Sequence, residues 1–272
     1  MKYKQIGGGI LVGVKCYMLD IDGTVSLGNN LISGADKFIE EVRNQGKRVI
    51  FMTNNSSKNR EAYQVKLRNL GIETSIDEIL TSGNATVYYL NSIKPKAKVY
   101  LLGNEYLRKD FTDAGFQLVD KKNEEVDFVV LGFDTTLTYD KIWAACDYIR
   151  KGVTYVATHP DMNCPLENDM WMPDTGAMIE MIYASTGERP VVIGKPNKLI
   201  VDVIKKQFGY QNSDLAMVGD RLYTDMMLGV NANIKKILVL SGETNLKTYN
   251  SQSIVKADKV FNSIKDLYDQ VK

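Results

Sequence analysis

Cysteine is scarce: Cys16, Cys146 and Cys164 are the only three in 272 residues. They are odd in number and far apart, which excludes both a disulfide framework and a CxxC metal knuckle. Proline is also sparse, at six. With 25% charged and 44% hydrophobic residues, the composition is that of a globular chain, not a disordered one. Net charge is nearly absent. The 34 Lys+Arg against 33 Asp+Glu leave +1, too little field to hold a polyanion, so a dedicated nucleic-acid binder is excluded. No apolar run nears the roughly 18 residues needed to cross a bilayer. Gly7-Gly8-Gly9 is not followed by GKS or GKT, so residues 1–14 read as a loose lead-in and not a phosphate loop. The same stretch lacks a signal-peptide core and cleavage site. These absences together predict a soluble, cytoplasmic protein without nucleic-acid or membrane partners.

What is present is a regular alternation of buried strand and amphipathic helix. Cys16–Leu19, Arg48–Thr53, Pro190–Ile193, Leu215–Val218 and Lys236–Leu240 read as short apolar strands. Helices are predicted over Asp36–Gln45, Ser57–Leu70, Asn197–Phe208, Leu222–Leu228 and Ser263–Val271, the first, second and third closed by Gly46, Gly71 and Gly209. This pattern predicts an α/β chain with a Rossmann-like, doubly wound parallel sheet. The middle has its own rhythm: strands at Val99–Leu102, Val126–Gly132 and Val153–Ala157, and helices near Asn104–Asp113 and Tyr139–Lys151. At roughly 95 residues it is long enough to be a small domain.

In such sheets ligands bind beyond the carboxyl ends of the strands. The first strand runs into Asp20-Ile21-Asp22-Gly23-Thr24, the second into Thr53-Asn54-Asn55-Ser56. Pro190–Ile193 runs into Gly194-Lys195-Pro196, and Leu215–Val218 into Gly219-Asp220, with Asp225 a turn further on. Asp20 and Asp22 repel each other unless a cation lies between them or one is protonated. With Asp220 and Asp225, four acids are expected at one edge, an all-oxygen set suited to Mg²⁺.

Asp20-Ile21-Asp22-Gly23-Thr24-Val25 resembles the first motif of the haloacid dehalogenase-like superfamily. Thr53-Asn54 resembles its second, Lys195 its third, and Gly219 to Asp225 its fourth, in the right order. A large insertion between the second and third motifs resembles the type-two cap of the class IIA, NagD-type phosphatases, as do the strings TNNSS at Thr53–Ser57 and IGKP at Ile193–Pro196. The implied organisation is a core over residues 1–82 and 179–272 with an α/β cap over 83–178. The resemblance implies a phosphatase that cleaves small phosphorylated metabolites with Mg²⁺. Asp20 is then the nucleophile and Asp22 the acid and base, also a metal ligand through its backbone carbonyl. Asp220 is a direct ligand, and Asp225 ligates or braces the ion. Thr53, Asn54, Asn55 and Lys195 hold the phosphoryl oxygens. It also implies a homodimer formed through the cap. A phosphomutase, and a phosphate- or Mg²⁺-sensing module without turnover, remain alternatives.

Within the cap, Thr158-His159-Pro160-Asp161 resembles the family's Thr-Asn-Pro-Asp with His159 in place of Asn. His159 is the sole histidine and reads either as a substrate-contacting or acid–base group or as a turn residue beside Pro160, the turn being favoured because Asp22 already supplies acid–base chemistry. Asp174 stands where the family commonly has glycine, and Met170-Trp171-Met172 reads as cap core or interface.

Overall fold

The computed structural model describes residues 11–121, 124–165, 170–251 and 255–272; the glycine run 7–9 lies outside them. In chain order the main strands are β1 (Cys16–Asp20), β2 (Arg48–Thr53), β3 (Lys98–Leu102), β4 (Gln117–Leu118), β5 (Phe128–Leu131), β6 (Thr154–Ala157), β7 (Val191–Val192), β8 (Leu215–Gly219), β9 (Lys235–Val239) and β10 (Lys259–Phe261). The chain forms two compact units. One comprises Met1–Met52, Lys66–Glu78 and Lys205–Lys272; the other comprises Thr53–Val65 and Ile79–Ile204. This division differs from one drawn by motif at residues 82 and 178.

In the first unit β1 is buried at all of its positions, as an unbroken apolar run must be when both faces of a parallel sheet are covered. The strands run in the order β10-β9-β8-β1-β2, every pair parallel. From β1 the chain builds β2 on one side and returns to build β8 on the other. The reversal point between β1 and β8 is where open α/β sheets place their ligands. Helix Ala35–Asn44 buries Phe38, Ile39 and Val42 and packs against the terminal helix Ile264–Val271. Each such side chain contributes about 2 kcal/mol of burial. Phe38 also meets Tyr17 of β1 edge to face at 5.4 Å.

The second unit repeats the layering with the order β7-β6-β5-β3-β4, again parallel. Leu102, Val129, Leu131, Ala145, Ile149 and Ile182 form its core. Its helices start where side chains cap them: Asn104 accepts from the Leu107 N–H, and Thr138 from the Lys141 N–H. Among the described residues no helix is long and apolar enough to cross a membrane.

Three local expectations change. Pro190–Ile193 shortens to β7, which lies beside β6 and therefore in the sheet of the second unit. Leu222–Leu228 is not one α-helix but a π turn, Leu222–Met226, followed by the short helix Met227–Asn231. Helix Ser82–Ile93 has no counterpart in the sequence reading, because its first residues SGNAT are small or polar and yet all buried.

Candidate active site

The end of β1 fixes the first group. Leu19 is level with Val218 and Asp20 with Met52, so Asp20 and Gly219 stand at the carboxyl ends of adjacent parallel strands. Asp220 follows directly. Asp225 is carried back by the π turn, where its Oδ2 accepts the Arg221 N–H at 3.1 Å. Such wide turns recur at functional sites because they re-aim one side chain without ending the helix. Carboxylate oxygens of Asp20, Asp220 and Asp225 lie within 4.8 Å of one another, and all three residues are nearly inaccessible to solvent. The Glu243 N–H donates to Asp220 Oδ2 at 2.6 Å, a charge-assisted bond that fixes one side of the cluster. Three like charges so close, with so little solvent, fit a hard divalent cation bound through oxygen.

The expected fourth carboxylate is not among them. Asp22 Oδ1 instead accepts from Lys66 Nζ at 2.7 Å, with the lysine side chain 18% exposed and the aspartate 45%. Lys66 lies on helix Arg60–Asn69, and sequence reasoning missed it, since nothing local links that helix to the turn after β1. The turn itself requires glycine. Gly23 has φ +94°, and a Cβ there would meet the Asp220 carboxylate at 2.9 Å or closer. Ser241 Oγ donates to the Gly23 carbonyl at 2.7 Å and closes the loop. Behind the cluster, burial pushes the Cys16 thiol up to about 12, which keeps it an inert thiol.

Thr53, Asn54, Asn55 and Lys195 belong to the second unit. Thr53 Oγ1 accepts the Asn55 N–H at 3.2 Å, and Asn55 Oδ1 accepts the Ser57 N–H at 2.8 Å, so the segment after β2 is a side-chain-supported turn. Asn54 is buried and grips Lys195 twice. Its Oδ1 accepts the Lys195 N–H at 2.8 Å, and its Nδ2 donates to the Lys195 carbonyl at 2.8 Å. The chain passes so close that a Cβ at Gly194 would lie 2.7 Å from Asn54 Oδ1 and from the Thr158 carbonyl.

His159 is not a simple turn residue. It is fully buried, with Nδ1 2.9 Å from Thr158 Oγ1 and Nε2 2.9 Å from Asp174 Oδ1. Asp174 in turn caps helix Thr175–Thr186, accepting the Thr175 N–H at 2.6 Å. The unusual residues at 159 and 174 are thus one contact. Met172 packs against the core of this unit, whereas Met170 and Trp171 remain exposed.

A family model for haloacid dehalogenase-like hydrolases matches residues 17–117, and a HAD-hydrolase-like model matches residues 192–267. The chain belongs to the haloacid dehalogenase-like hydrolases. It is similar to the acid sugar phosphatase of Staphylococcus haemolyticus, 39% identical over 230 residues, or 85% of this chain and 86% of that one. Among solved structures it superposes on the 4-nitrophenylphosphatase of Thermotoga maritima with TM-score 0.92 and 43% identity, covering 97% of this chain and 100% of the other. It also superposes on a structure described as a NagD protein, with TM-score 0.88 and 41% identity over 95% and 98% of the two chains. Within the family the chain is a class IIA, NagD-type phosphatase, and its reaction is hydrolysis of a phosphomonoester. A sensing module without turnover is thereby set aside.

Proposed function

We propose that the enzyme hydrolyses small phosphomonoesters, sugar phosphates foremost, through a phosphoryl group carried on Asp20, with Mg²⁺ held by Asp20, Asp220 and Asp225 and by the Asp22 carbonyl. The observation that carries this reading is the trio of carboxylates whose oxygens lie within 4.8 Å of one another. The sugar preference is supported by the staphylococcal relatives, which are acid sugar phosphatases. Nucleoside monophosphates, phosphoglycolate and aryl phosphates are the competing substrates for the same chemistry. A bound Mg²⁺ would supply positive charge to the trio and to the phosphoryl oxygens.

In the first step Asp20 attacks phosphorus, the bond from phosphorus to the ester oxygen breaks, and Asp22 gives its proton to the departing alkoxide. In the second, Asp22 takes a proton from water as the water oxygen bonds to phosphorus. The bond to Asp20 then breaks and inorganic phosphate leaves. Lys195 neutralises charge on the group in transfer, and the Thr53 hydroxyl, the Asn54 backbone and Asn55 hold its oxygens. A cytoplasmic location suits this reading, since Cys16, Cys146 and Cys164 are all free thiols.

The test is phosphate release from a panel of phosphomonoesters, ranked by kcat/KM, with and without EDTA. Asp20→Asn should lower kcat by on the order of 10⁴-fold or more, as removal of a nucleophile does. A folded Asp20→Asn protein that retains turnover overturns the phospho-Asp20 route. Full activity in EDTA overturns the metal.

A further inference from the structure

Lys195 is held at its backbone by one side chain. Asn54 accepts from the Lys195 N–H and donates to the Lys195 carbonyl, as a neighbouring strand would, and so fixes the peptide groups on both sides of the Lys195 Cα. That grip works in only one orientation of the Asn54 amide. Rotated by half a turn, the NH₂ would face the Lys195 N–H and the oxygen would face the Lys195 carbonyl. Both bonds would become repulsions.

A third partner, on the segment after β6, holds the same orientation. The second N–H of Asn54 Nδ2 points to Asp161 Oδ1 at 2.9 Å, in a site where Asp161 keeps 9% of its surface and Asn54 5%. A carboxylate only accepts, so it admits the NH₂ end of the amide and rejects the oxygen end. Asp161 is itself pinned. Its carbonyl accepts the Gly176 N–H at 2.8 Å, and the next carbonyl, of Met162, accepts the Asp174 N–H at 3.0 Å. The His159–Asp174 bond braces the same stretch from the other side. The arrangement therefore runs from the start of helix Thr175–Thr186 through Asp161 and Asn54 to the root of the Lys195 side chain.

We propose that Asp161 is a positioning residue for phosphoryl transfer, acting through Asn54 to set where the Lys195 ammonium is rooted. The inference deepens the functional reading above and rests on the role given there to Lys195. A purely structural Asp161 would stabilise the fold and leave its effect independent of Lys195. A positioning Asp161 loses its effect on catalysis once the ammonium is gone. The two are separated by a double-mutant cycle.

The experiment measures kcat/KM for the best phosphomonoester, and the melting temperature, for the wild type, Asp161→Ala, Lys195→Ala and the double variant. Asp161→Ala should cost roughly 10- to 100-fold in the wild-type background, the range seen when groups supporting a site residue are removed. In the Lys195→Ala background the further loss should be under about threefold. Asp161→Asn, which keeps an accepting oxygen, should retain most of the activity, and Asp161→Ser, too short to reach Asn54, replaces Asp161→Ala in the cycle if the alanine variant does not fold. An equal loss in both backgrounds, or no loss in the wild-type background, overturns the positioning role and leaves the role of Lys195 standing. A Lys195→Ala protein with unchanged kcat/KM overturns both.

Discussion

The two units bury polar groups in opposite ways. At the carboxyl edge of β1 and β8, three carboxylates of one sign are brought within 4.8 Å of each other. Beside Asn54, each donor meets an acceptor: two N–H groups meet the Asp161 carboxylate and the Lys195 carbonyl, and one oxygen meets the Lys195 N–H. The second arrangement is complete in itself and stabilises the protein that carries it. The first holds like charges whose repulsion a bound cation would relieve. A cluster that costs stability is retained for what it binds, so the less favourable arrangement is the better pointer to chemistry.

The sharpest way to break this contrast is Asp220→Ala. Removing a donor from the trio should lower kcat by about 10³-fold, beyond the roughly 10- to 100-fold seen for groups that merely support a ligand. Mg²⁺ at about 100 times its dissociation constant should stabilise the wild type by about 2.7 kcal/mol. In thermal melts that gain should vanish in Asp220→Ala and survive in Asn54→Ala. A Mg²⁺ shift that persists without Asp220 would place the ion elsewhere.

Asn54→Ala reverses the comparison. It removes one partner of a buried carboxylate and the bonds to two backbone groups, at a cost of about 3 kcal/mol in urea unfolding. Lys66→Met should be milder still. The pair with Asp22 is half exposed, so stability should change by less than about 1 kcal/mol. Turnover should fall by about tenfold because the Asp22 carboxylate loses its anchor. Steady-state kinetics should show the loss in kcat, with KM little changed.

The smallest effect is expected at Asp110, on helix Glu105–Asp113 of the second unit. Burial, reinforced by the Glu61 carboxylate and opposed by Arg60, pushes its pKa from 3.8 up to about 7. An acid raised in the folded state favours folding when protonated. Its contribution is complete below about pH 4 and is lost as the pH rises through about 7. Asp110→Asn should therefore melt on the order of 2 °C higher than the wild type at pH 8, and at the same temperature near pH 4.

Much of this was legible beforehand, for a definite reason. Asp20 and Asp220 each end an unbroken apolar strand, and parallel strands align their carboxyl ends, so linear position alone brought them together. Helices with clean apolar spacing, such as Ala35–Asn44 and Tyr139–Arg150, were equally plain. Lys66 was hidden because a salt bridge across 44 positions leaves no local trace. His159 looked like a turn residue because its partner Asp174 is fifteen positions away, and nothing local links the two. β7 was assigned to the wrong sheet because two valines carry no mark of which neighbour they join.

By itself, then, the sequence determined the alternation of strand and helix and the set of residues at the strand ends. Hydrophobic period and chain punctuation are local properties, and the four motifs ride on them. The tertiary structure alone decided which carboxylates meet, that Asp22 pairs with Lys66 instead of joining the other three, and that Asp161 orients Asn54. Those choices depend on how separately formed elements pack, where a rotation of one amide or the tilt of one helix changes the partner of a buried group.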